Sequence, residues 1–513
     1  MKDKIIFWLD ADLLHFVLAK SLQDTYECDL FAIIDITNRP KKFFQKQQFV
    51  KFLKVWYYHD HINKNHSPDL IYLSSFEKKY NINLWQLALN ERIFYQFNNF
   101  HKFTTNEILS ILEQECKLFE SILEEVRPDF FITQVTALHH QHLFYEICKA
   151  KGIKILMLCL TNIGYKCIIS QESSKLDSPV NLTDITYTDR NFEDLQNYLK
   201  SFNFSKQVKN YQNRRANSKI ELLKAAIDFL FTSNKNTKTH YSYYGRTKLR
   251  VLVNIITSAL KKRYRQSFIN NHLETEIDYN ESFVYFPLPM EQERATLIGA
   301  PFYTNSIELI RNIVKSLPVN YKLYVKEHPA QLSRDWRRIS DYKEIMNIPN
   351  VRLIHPSVSI EKLYKDCSLV IAVGAAPGFE AALYEKPSII FTDTDYSILP
   401  SVFRVKEIEE LPKVIRLSLQ KKVNPLDLDK YLTFLDKNYI DFDLFGFQIK
   451  EFVHFYFGGH SQDVEIPLSK MKSFLEENKS IIDKLSLEHI KKIKQYKKYE
   501  YEKHSNSFTT ETK

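Results

Sequence analysis

The sequence is poor in glycine and in cysteine. It has nine glycines and six cysteines in 513 residues, whereas glycine usually makes up about 7% of a protein. Each glycine is therefore informative, because few other positions can form a sharp turn or bring the backbone close to a ligand. The cysteines are scattered and form no CxxC pair. Their spacing argues against a zinc site or a disulfide framework and fits a reducing cytoplasm.

Long apolar runs are also absent. The sequence has no apolar stretch long enough for a membrane span, so we expect no transmembrane helix. The first residues, MKDKIIFWLDADLLHF, reach acidic residues early and lack a small-residue cleavage site, which predicts a β-strand rather than a signal peptide. We expect a cytoplasmic protein of two large domains with smaller additions, because 513 residues are too many for one compact core.

Much of the net charge of +9 lies in residues 245–265. This segment, GRTKLRVLVNIITSALKKRYR, is basic at both ends, mostly apolar between them and free of acidic residues. A helix of this kind would either lie on an anionic membrane surface or pack its apolar side on the protein between two domains. Both interpretations stay open. We expect no nucleic-acid partner, because no recognised binding module accompanies the charge.

Short apolar runs and helical patterns alternate in two regions of the chain. Residues 1–195 and 281–425 show strand–helix–strand units with short connections, which is typical of parallel sheets covered by helices. Residues 40–104 are aromatic and basic and give no clear assignment. Residues 196–280 read as a linker or insertion, and residues 426–513 as helices with a charged tail. The predicted fold is α/β, with two doubly wound, Rossmann-like domains facing a cleft and followed by C-terminal helices.

The stretch VIAVGAAPGFEAALYEKPSII holds two informative glycines. A strand ends at Gly374, a loop with Ala375 and Ala376 follows, and a helix begins directly after it. Free amides at a helix start favour phosphate binding, and Gly374 and Gly378 would let a ligand approach the backbone. Glu380, in the first turn, would reach hydroxyls beside that phosphate. Alternatively, the glycines only permit a tight turn, and Glu380 is a favourable first-turn acid.

Two other strand ends carry charged residues. In YVKEHPA, Lys326 and His328 are two residues apart and would face the crevice outside the carboxyl end of a strand, where ligands of open α/β sheets bind. Such a pair would neutralise charge on a departing phosphate; alternatively, they are a solvated lysine and a turn histidine before Pro329. In FVYFPLPMEQERATLIGAPFYTN, Glu291 and Arg294 would contact a ligand or pair as loop charges in solvent.

The first region offers candidates for a general base. Asp10 and Asp12 follow the first strand, where a carboxylate would accept the proton of a bound hydroxyl. His139, His140 and His142, after the DFFITQV strand, are rivals. Helical spacing puts His139 and His142 on one face and His140 elsewhere, and the sequence nearby has no matching acidic or cysteine ligand. We therefore interpret them as surface or packing histidines and predict no metal site.

The motifs of the second region occur in a recognisable order. FVYFPL with ERAT after it, LYVKEHP, and IPNVRLIHPSVSIEKLYKDCSLVIAVGAAPGFEAALYEKPSIIF together resemble the capsule polysaccharide biosynthesis family. The resemblance covers roughly residues 281–415. That family includes Kdo transferases, and it is similar to bacterial sialyltransferases in carrying an HP motif in the C-terminal domain of a GT-B fold.

The resemblance implies an inverting GT-B glycosyltransferase that needs no metal or other cofactor. Such an enzyme would move a sugar from a nucleotide-activated donor to a growing surface or capsular polysaccharide or its lipid-linked precursor. The HP motif makes a CMP-sugar the first candidate donor. By the same resemblance, His328 and Pro329 would lie at the nucleotide phosphate, with Ser357, Ser359 and Glu380 nearby.

One departure from the family pattern keeps other functions open. Relatives often carry Thr or Ser after the loop glycine, where this chain has Ala375 and Ala376. The alternatives are a sugar-nucleotide epimerase or a polyol-phosphate transferase on the same fold, and a non-catalytic protein that binds a nucleotide or glycan.

Overall fold

The chain folds around two six-stranded sheets. The computed structural model describes residues 2–161, 166–173, 175–177, 182, 185–202, 219–232, 235–278, 280–328, 331 and 337–510. The first sheet contains β1 (Asp3–Leu9), β2 (Cys28–Ile34), β3 (Lys54–Tyr57), β4 (Phe130–Gln134), β5 (Lys154–Leu160) and β6 (Cys167–Ser170). The second sheet contains β7 (Phe283–Pro287), β8 (Lys322–Lys326), β9 (Val351–Ile354), β10 (Leu369–Ala372), β11 (Ser388–Ile390) and β12 (Val402–Arg404).

Both sheets have the same strand order. The first runs β3-β2-β1-β4-β5-β6 and the second β12-β11-β10-β7-β8-β9, and every neighbouring pair is parallel except β5 and β6. Counted from its own first strand, each sheet follows the 3-2-1-4-5-6 order of the doubly wound fold. The predicted fold class is therefore confirmed. The order reverses between β1 and β4 and between β7 and β10, and a crevice opens there at the carboxyl ends of the strands.

Helices connect the strands of each sheet. Those of the first unit are α1 (Leu14–Thr25), α2 (Asn38–Lys46), α3 (Leu70–Tyr80), α4 (Leu84–Leu89), α5 (Thr105–Val126) and α6 (His139–Ala150). Those between the sheets are α7 (Phe192–Ser201), α8 (Lys219–Phe231), α9 (Asn236–Thr239) and α10 (Lys248–His272). The later ones are α11 (Arg294–Leu297), α12 (Ser306–Ser316), α13 (Ile339–Met346), α14 (Ile360–Asp366), α15 (Pro377–Leu383), α16 (Leu411–Leu419), α17 (Pro425–Asn438), α18 (Leu444–Phe455) and α19 (Leu468–Thr510). None of the described helices is long and apolar enough to cross a bilayer.

Local sequence explains the bounds of α5, the helix that packs beneath β1 and β4. Thr104 and Glu107 form a capping box at its start, each side chain bonded to the other's backbone N–H, and such caps stabilise a helix by about 1 kcal/mol. The helix ends at Val126, and Arg127 takes a left-handed φ of 50°. The helix stops before Pro128, because a residue that precedes proline avoids the helical conformation.

Two regions whose structure the sequence left open form regular secondary structure. Residues 40–104 supply the edge strand β3 and the helices α3 and α4; a strand of four residues is too short to show a clear alternation. The basic segment lies within α10, which joins the two sheets. Arg250 near its start donates to the carbonyl of Phe100 at 3.4 Å, and after its end the N–H of Glu274 donates to the carbonyl of Leu353 at 3.0 Å.

The C-terminal helices return to the first sheet. Apolar side chains of α18 and α19, among them Phe447 and Phe474, pack in the same core as Ile5 of β1 and Phe16 of α1. Polar contacts follow the same path, since the hydroxyl of Ser21 donates to Asp483 Oδ1 at 2.7 Å. The tail, whose role the sequence left open, therefore docks on the protein itself.

Two buried histidines make this docking sensitive to acid. His15 of α1 and His489 of α19 are almost fully buried, and the Nε2 atoms of both lack a hydrogen-bond partner. Burial lowers the pKa of His15 to about 3 and that of His489 to about 4. Each pKa is below its value in the unfolded chain, so both histidines favour the folded state above about pH 6.5, and this contribution is lost as the pH falls from there toward the folded pKa values.

We predict that α19 detaches from α1 at about pH 5. Each histidine removes about 1.4 kcal/mol of stability for each pH unit below about 6.5. Hydrogen exchange of α19 amides, corrected for the intrinsic rate, should show protection that falls between neutral pH and about pH 5. His489→Leu should reduce that fall, and His454→Leu in α18 should not. An unchanged pH dependence in His489→Leu would show that other groups control the docking.

Candidate functional site between the two sheets

A cleft of about 610 Å³ lies between the carboxyl ends of the two sheets. Arg294 of α11 crosses it, because its Nε donates to the carbonyl of Thr136 after β4 at 2.8 Å. Burial in this position lowers the pKa of Arg294. Side chains of both units line the cleft, including Gln134, His142, Tyr145, Glu146, Lys149, Glu172, Arg294, Thr392, Asp393, Asp395 and Arg404.

A smaller pocket of about 170 Å³ opens where the strand order of the second sheet reverses. Its walls are residues 287–290 after β7, residues 372–377 after β10 and His328 after β8. Ala375 lines both this pocket and the larger cleft, so the two spaces adjoin. Four residues predicted to bind the donor, His328, Gly374, Ala375 and Ala376, therefore share one pocket at a topological switch point, which is where open α/β sheets bind ligands.

Packing alone accounts for the two glycines of this loop. A Cβ on Gly374 would lie 2.4 Å from Cγ2 of Thr392, and one on Gly378 would lie 2.8 Å from the hydroxyl of Tyr396. Ala375 between them takes a left-handed φ of 62°, an uncommon conformation for a residue with a Cβ. Its carbonyl accepts a hydrogen bond from Tyr396, which holds the loop in place. The loop geometry thus agrees with the tight-turn interpretation of the glycines.

Lys326, the last residue of β8, is a buried cation. Its side chain is only 2% exposed, and no hydrogen bond or ion pair of its ammonium group is present among the described residues. Burial alone lowers the pKa of Lys326 to about 8. Lys326 does not line the 170 Å³ pocket. Burial and, to a smaller extent, the nearby charge of Lys326 lower the pKa of His355. A buried cation with a perturbed pKa at a strand end is typical of a site that binds an anion.

Glu327, between the two predicted residues, was missed by the sequence interpretation. Its carboxylate accepts hydrogen bonds from Arg337 at 2.8 Å and from the Tyr342 hydroxyl at 2.7 Å, and its Oε1 accepts the backbone N–H of His328 at 2.8 Å. Arg337 also donates to Glu291 at 3.0 Å. This buried network fixes the end of β8 and the orientation of His328. The alternation of side chains along a strand predicts only that Glu327 points to the opposite face from Lys326 and His328. Its hydrogen-bond partners could therefore not be predicted.

Three other residues predicted for donor binding, Ser357, Ser359 and Glu380, do not line the pocket. Ser357 is exposed, and its hydroxyl is 2.6 Å from Nδ1 of His355. Ser359 is exposed at the start of α14 without a capping hydrogen bond from its side chain. Glu380 accepts a hydrogen bond from the Tyr364 hydroxyl at 2.7 Å, and burial raises the pKa of Glu380. Pro329 lies outside the described residues. The donor roles of these four residues stay predictions.

The carboxylates of Asp10 and Asp12 lie close together at the switch point of the first sheet. Gln134, which lines the cleft, donates to Asp10 Oδ2 at 3.2 Å. Burial, then the charge of Asp12, raises the pKa of Asp10 to about 8. Asp10 Oδ1 also accepts the backbone N–H of Asp12 at 2.8 Å, whereas Asp12 accepts the backbone N–H of Leu14 at 3.2 Å and the amide of Gln448, which does not line the cleft, at 2.8 Å. Of the two, Asp10 therefore has the closer connection to the cleft.

A third carboxyl group, that of Glu451 in α18, completes this group. Glu451 is fully buried, and burial together with the charge of Asp12 raises its pKa well above the usual range. A carboxyl group from a C-terminal helix beside the first strand could not be predicted, because nearly the whole chain separates the two elements in sequence. Three carboxyl groups with raised pKa values thus lie close together at this edge of the first sheet.

The three histidines of α6 have different surroundings. His139 and His140 are both buried: His139 Nδ1 is 2.8 Å from Glu91 Oε2 and its Nε2 3.0 Å from Glu115 Oε1. Burial opposes the charge of His139, but the two glutamates raise its pKa to about 10. His142 lines the cleft, where burial and then Arg294 lower its pKa to about 3. His139 and His140 are packing residues, and His139 and His142 both line a small pocket beside the cleft that His140 does not reach, as their helical spacing predicts.

Ligand atoms of Glu115, His139 and His140 lie within 4.8 Å of one another, close enough in principle to hold a metal ion. The carboxylates that approach these histidines come from other elements, so they were not visible beside the HHQH motif. Both ring nitrogens of each histidine already face a polar partner, His140 through Asp35 at 2.8 Å and Tyr241 at 3.1 Å. These hydrogen bonds are enough to explain why the three side chains lie together in the core.

The fold and the cleft define a two-unit α/β protein of the GT-B-like type, and a family model matches part of its sequence. Residues 181–399, somewhat less than half of the chain, match the family model for "Capsule polysaccharide biosynthesis protein". The match includes the strands from β7 to β11 and both motifs of the 170 Å³ pocket. The predicted family resemblance is confirmed over this region. No curated protein matches the sequence.

Solved structures similar to this chain include two kinds of enzyme. A UDP-GlcNAc 2-epimerase from Methanocaldococcus jannaschii is 12% identical, with a TM-score of 0.24, over 83% of this chain and 94% of that one. The KpsC beta Kdo 2,7 transferase of Thermosulfurimonas dismutans is 10% identical, with a TM-score of 0.28, over 68% of this chain and 87% of that one. The beta Kdo 2,4 transferase of the same protein is 11% identical, with a TM-score of 0.29, over 59% and 79%. At these TM-scores the fold assignment rests on the strand order of the two sheets.

We predict that Lys326→Met stabilises the protein at neutral pH. The pKa of Lys326 is below that of a lysine in the unfolded chain, so its burial destabilises the fold fully below about pH 8, and this effect fades as the pH rises toward about 10.5. The substitution should raise stability by as much as about 3 kcal/mol at pH 7.

Urea unfolding of Lys326→Met at neutral and alkaline pH measures this difference. Lys322→Met, at the start of the same strand, is the matched control and should show no such pH-dependent gain. A loss of stability in Lys326→Met at neutral pH would mean that the ammonium group is paired within the protein.

Proposed function

We propose that this protein is a glycosyltransferase that moves a sugar from a nucleotide-activated donor to a growing surface or capsular polysaccharide or its lipid-linked precursor. The observation that carries the proposal is the placement of two switch points on one cleft. The second sheet offers the pocket with His328, and the first sheet offers Asp10 beside the cleft-lining Gln134. The family match over residues 181–399 supports the same conclusion.

The second sheet would bind the donor. His328 and residues 374–376 line the pocket, which is large enough for part of a nucleotide diphosphate or monophosphate group. Lys326 supplies a buried positive charge at the end of the same strand, with no ion pair to any of the residues that the structure describes. Negative charge that develops on a departing nucleotide phosphate would be stabilised by these groups, and the buried setting strengthens each interaction.

The first sheet would bind the acceptor and accept its proton. In an inverting transfer, the acceptor oxygen forms a bond to the anomeric carbon while the bond from that carbon to the donor phosphate breaks. The acceptor proton would pass to the Asp10 carboxylate, and the electron pair of the broken bond would leave with the nucleotide. A carboxylate with a pKa of about 8 is a strong enough base for this step once it is ionised. We propose that this step needs no metal or other cofactor.

We predict that one nucleotide raises the melting temperature of the protein and that His328→Ala removes the effect. The panel contains CMP, UDP, GDP and CDP, and CMP is the first candidate. Ligand at about 100 times its Kd stabilises the folded state by about 2.7 kcal/mol. His272→Ala, an exposed histidine outside the pocket, is the control and should keep the shift. Absence of a shift with every nucleotide would count against a nucleotide site in the free protein.

We predict that Asp10→Asn lowers turnover by about 100-fold or more while nucleotide binding is kept. In the wild type, turnover should rise with pH through about 8, because only the ionised Asp10 accepts a proton. The raised pKa also means that Asp10 makes the fold progressively less stable as the pH rises from about 4 to about 8, so Asp10→Asn should be more stable at neutral pH.

Asp12→Asn separates the two carboxylates. Its side chain accepts the amide of Gln448 rather than that of the cleft-lining Gln134, so its loss should change turnover less than Asp10→Asn does. The reverse result would assign the base to Asp12. Product analysis with the bound nucleotide sugar distinguishes the alternatives: an epimerase converts the sugar without an acceptor, and a polyol-phosphate transferase requires a different donor.

A non-catalytic protein is favoured by one observation. Ala375 and Ala376 line the pocket where a hydroxyl side chain is common in the family, so the loop contributes no side-chain hydrogen-bond donor there. Binding of a nucleotide without turnover of any of its sugars would support this second function.

A further inference from the structure

The helix that joins the two sheets carries an apolar stripe that the protein does not cover. Leu249, Val253, Ile256 and Leu260 of α10 follow one another at helical spacing and are all more than half exposed. The buried residues of this helix are confined to its last two turns, at Arg265, Phe268 and Ile269. The interpretation in which the apolar side packs between the domains is therefore wrong for residues 249–260. Single exposed leucines are ordinary, but a continuous stripe marks an interaction surface.

The neighbouring helix α8 presents a second stripe. Ile220, Leu223, Ile227 and Phe231 recur at helical spacing, and Phe231 is 84% exposed. The opposite side of α8 packs on the protein through the buried Ala225, and Asp228 at the edge of the stripe forms a bidentate ion pair with Arg39 of α2. The apolar side of α8 therefore faces outward, whereas an ordinary surface helix packs its apolar side on the protein.

The two stripes meet. Lys248 Nζ, at the start of α10, donates to the carbonyl of Leu230 in the last turn of α8 at 2.5 Å. This contact places the end of one exposed stripe beside the beginning of the other. Together they form one surface, here named the α8–α10 face.

Charge identifies the partner of this face. The helix α10 contains six basic residues and no acidic one, and the exposed Arg250, Lys261, Lys262 and Arg263 flank its apolar stripe at both ends. Basic residues around an apolar stripe are suited to lipid headgroups that carry negative charge. A second copy of the chain would bring like charges together at α10, which disfavours self-association.

We propose that the α8–α10 face binds an anionic lipid bilayer, with the apolar side chains entering the interface and the basic residues contacting the headgroup phosphates. The proposal does not depend on the chemistry of the cleft. Because α10 connects the two sheets, bilayer binding would hold both units at the membrane surface.

Vesicle flotation with the full-length protein tests this inference. Vesicles of equal parts phosphatidylcholine and phosphatidylglycerol should carry the protein upward, and vesicles of phosphatidylcholine alone should carry much less. Binding should weaken between about 0.1 M and about 1 M salt, where the Debye length falls from about 10 Å to about 3 Å. Failure to bind the anionic vesicles at the lower salt concentration would overturn the proposal.

A pair of matched variants separates apolar insertion from charge. Ile256→Asp with Leu260→Asp should weaken flotation by about tenfold or more, whereas Asn254→Asp with Ser258→Asp adds the same charge to the same turns and should weaken it much less. Equal weakening by both would overturn the role of the apolar stripe. Sedimentation velocity adds a further test, since a dimer that Ile256→Asp with Leu260→Asp dissociates would assign the face to a second copy. The nucleotide shift should persist in both variants, so failure here is distinguishable from failure of the proposed function.

Discussion

Parallel pairing of strands in a 3-2-1-4-5-6 order is the constraint on which the candidate site depends. It places the carboxyl ends of β1 and β4 at one edge and those of β7, β8 and β10 at another. Asp10, Gln134, His328 and Ala375 adjoin connected spaces for this reason, although they come from distant parts of the sequence. The buried hydrogen bond from Arg294 to Thr136 joins the two edges across the cleft.

The two sides of the cleft hold opposite kinds of buried charge. Carboxyl groups with raised pKa values cluster behind the first edge, and a lysine with a lowered pKa ends a strand at the second. Burial of each group opposes folding, because its charged form is poorly solvated there. Such groups are typical of functional sites, where ligands supply the missing partner. These buried charges therefore lower the stability of the fold near the cleft.

The histidines of α6 show how partners decide the role of a residue. His139 is held between two glutamates and His140 by Asp35 and Tyr241, so both belong to the core. His142, on the next turn, lines the cleft. The sequence shows three neighbouring histidines without these partners, which lie on other elements. The same limit applies to Glu327, whose partners Arg337 and Tyr342 follow it by several residues, and to Glu451 beside Asp12.

The sequence by itself determined the alternation of strands and helices, the two-unit α/β class and the pocket residues His328, Gly374, Ala375 and Ala376, because local periodicity and strand-to-helix turns are encoded over short stretches. Only the tertiary structure decided the return of α18 and α19 to the first sheet, the burial of Lys326 and the exposure of the α8–α10 face. These features depend on which side chains from distant parts of the sequence come into contact. Burial and its effect on charge are therefore properties of the assembled core, and no short stretch of sequence contains them.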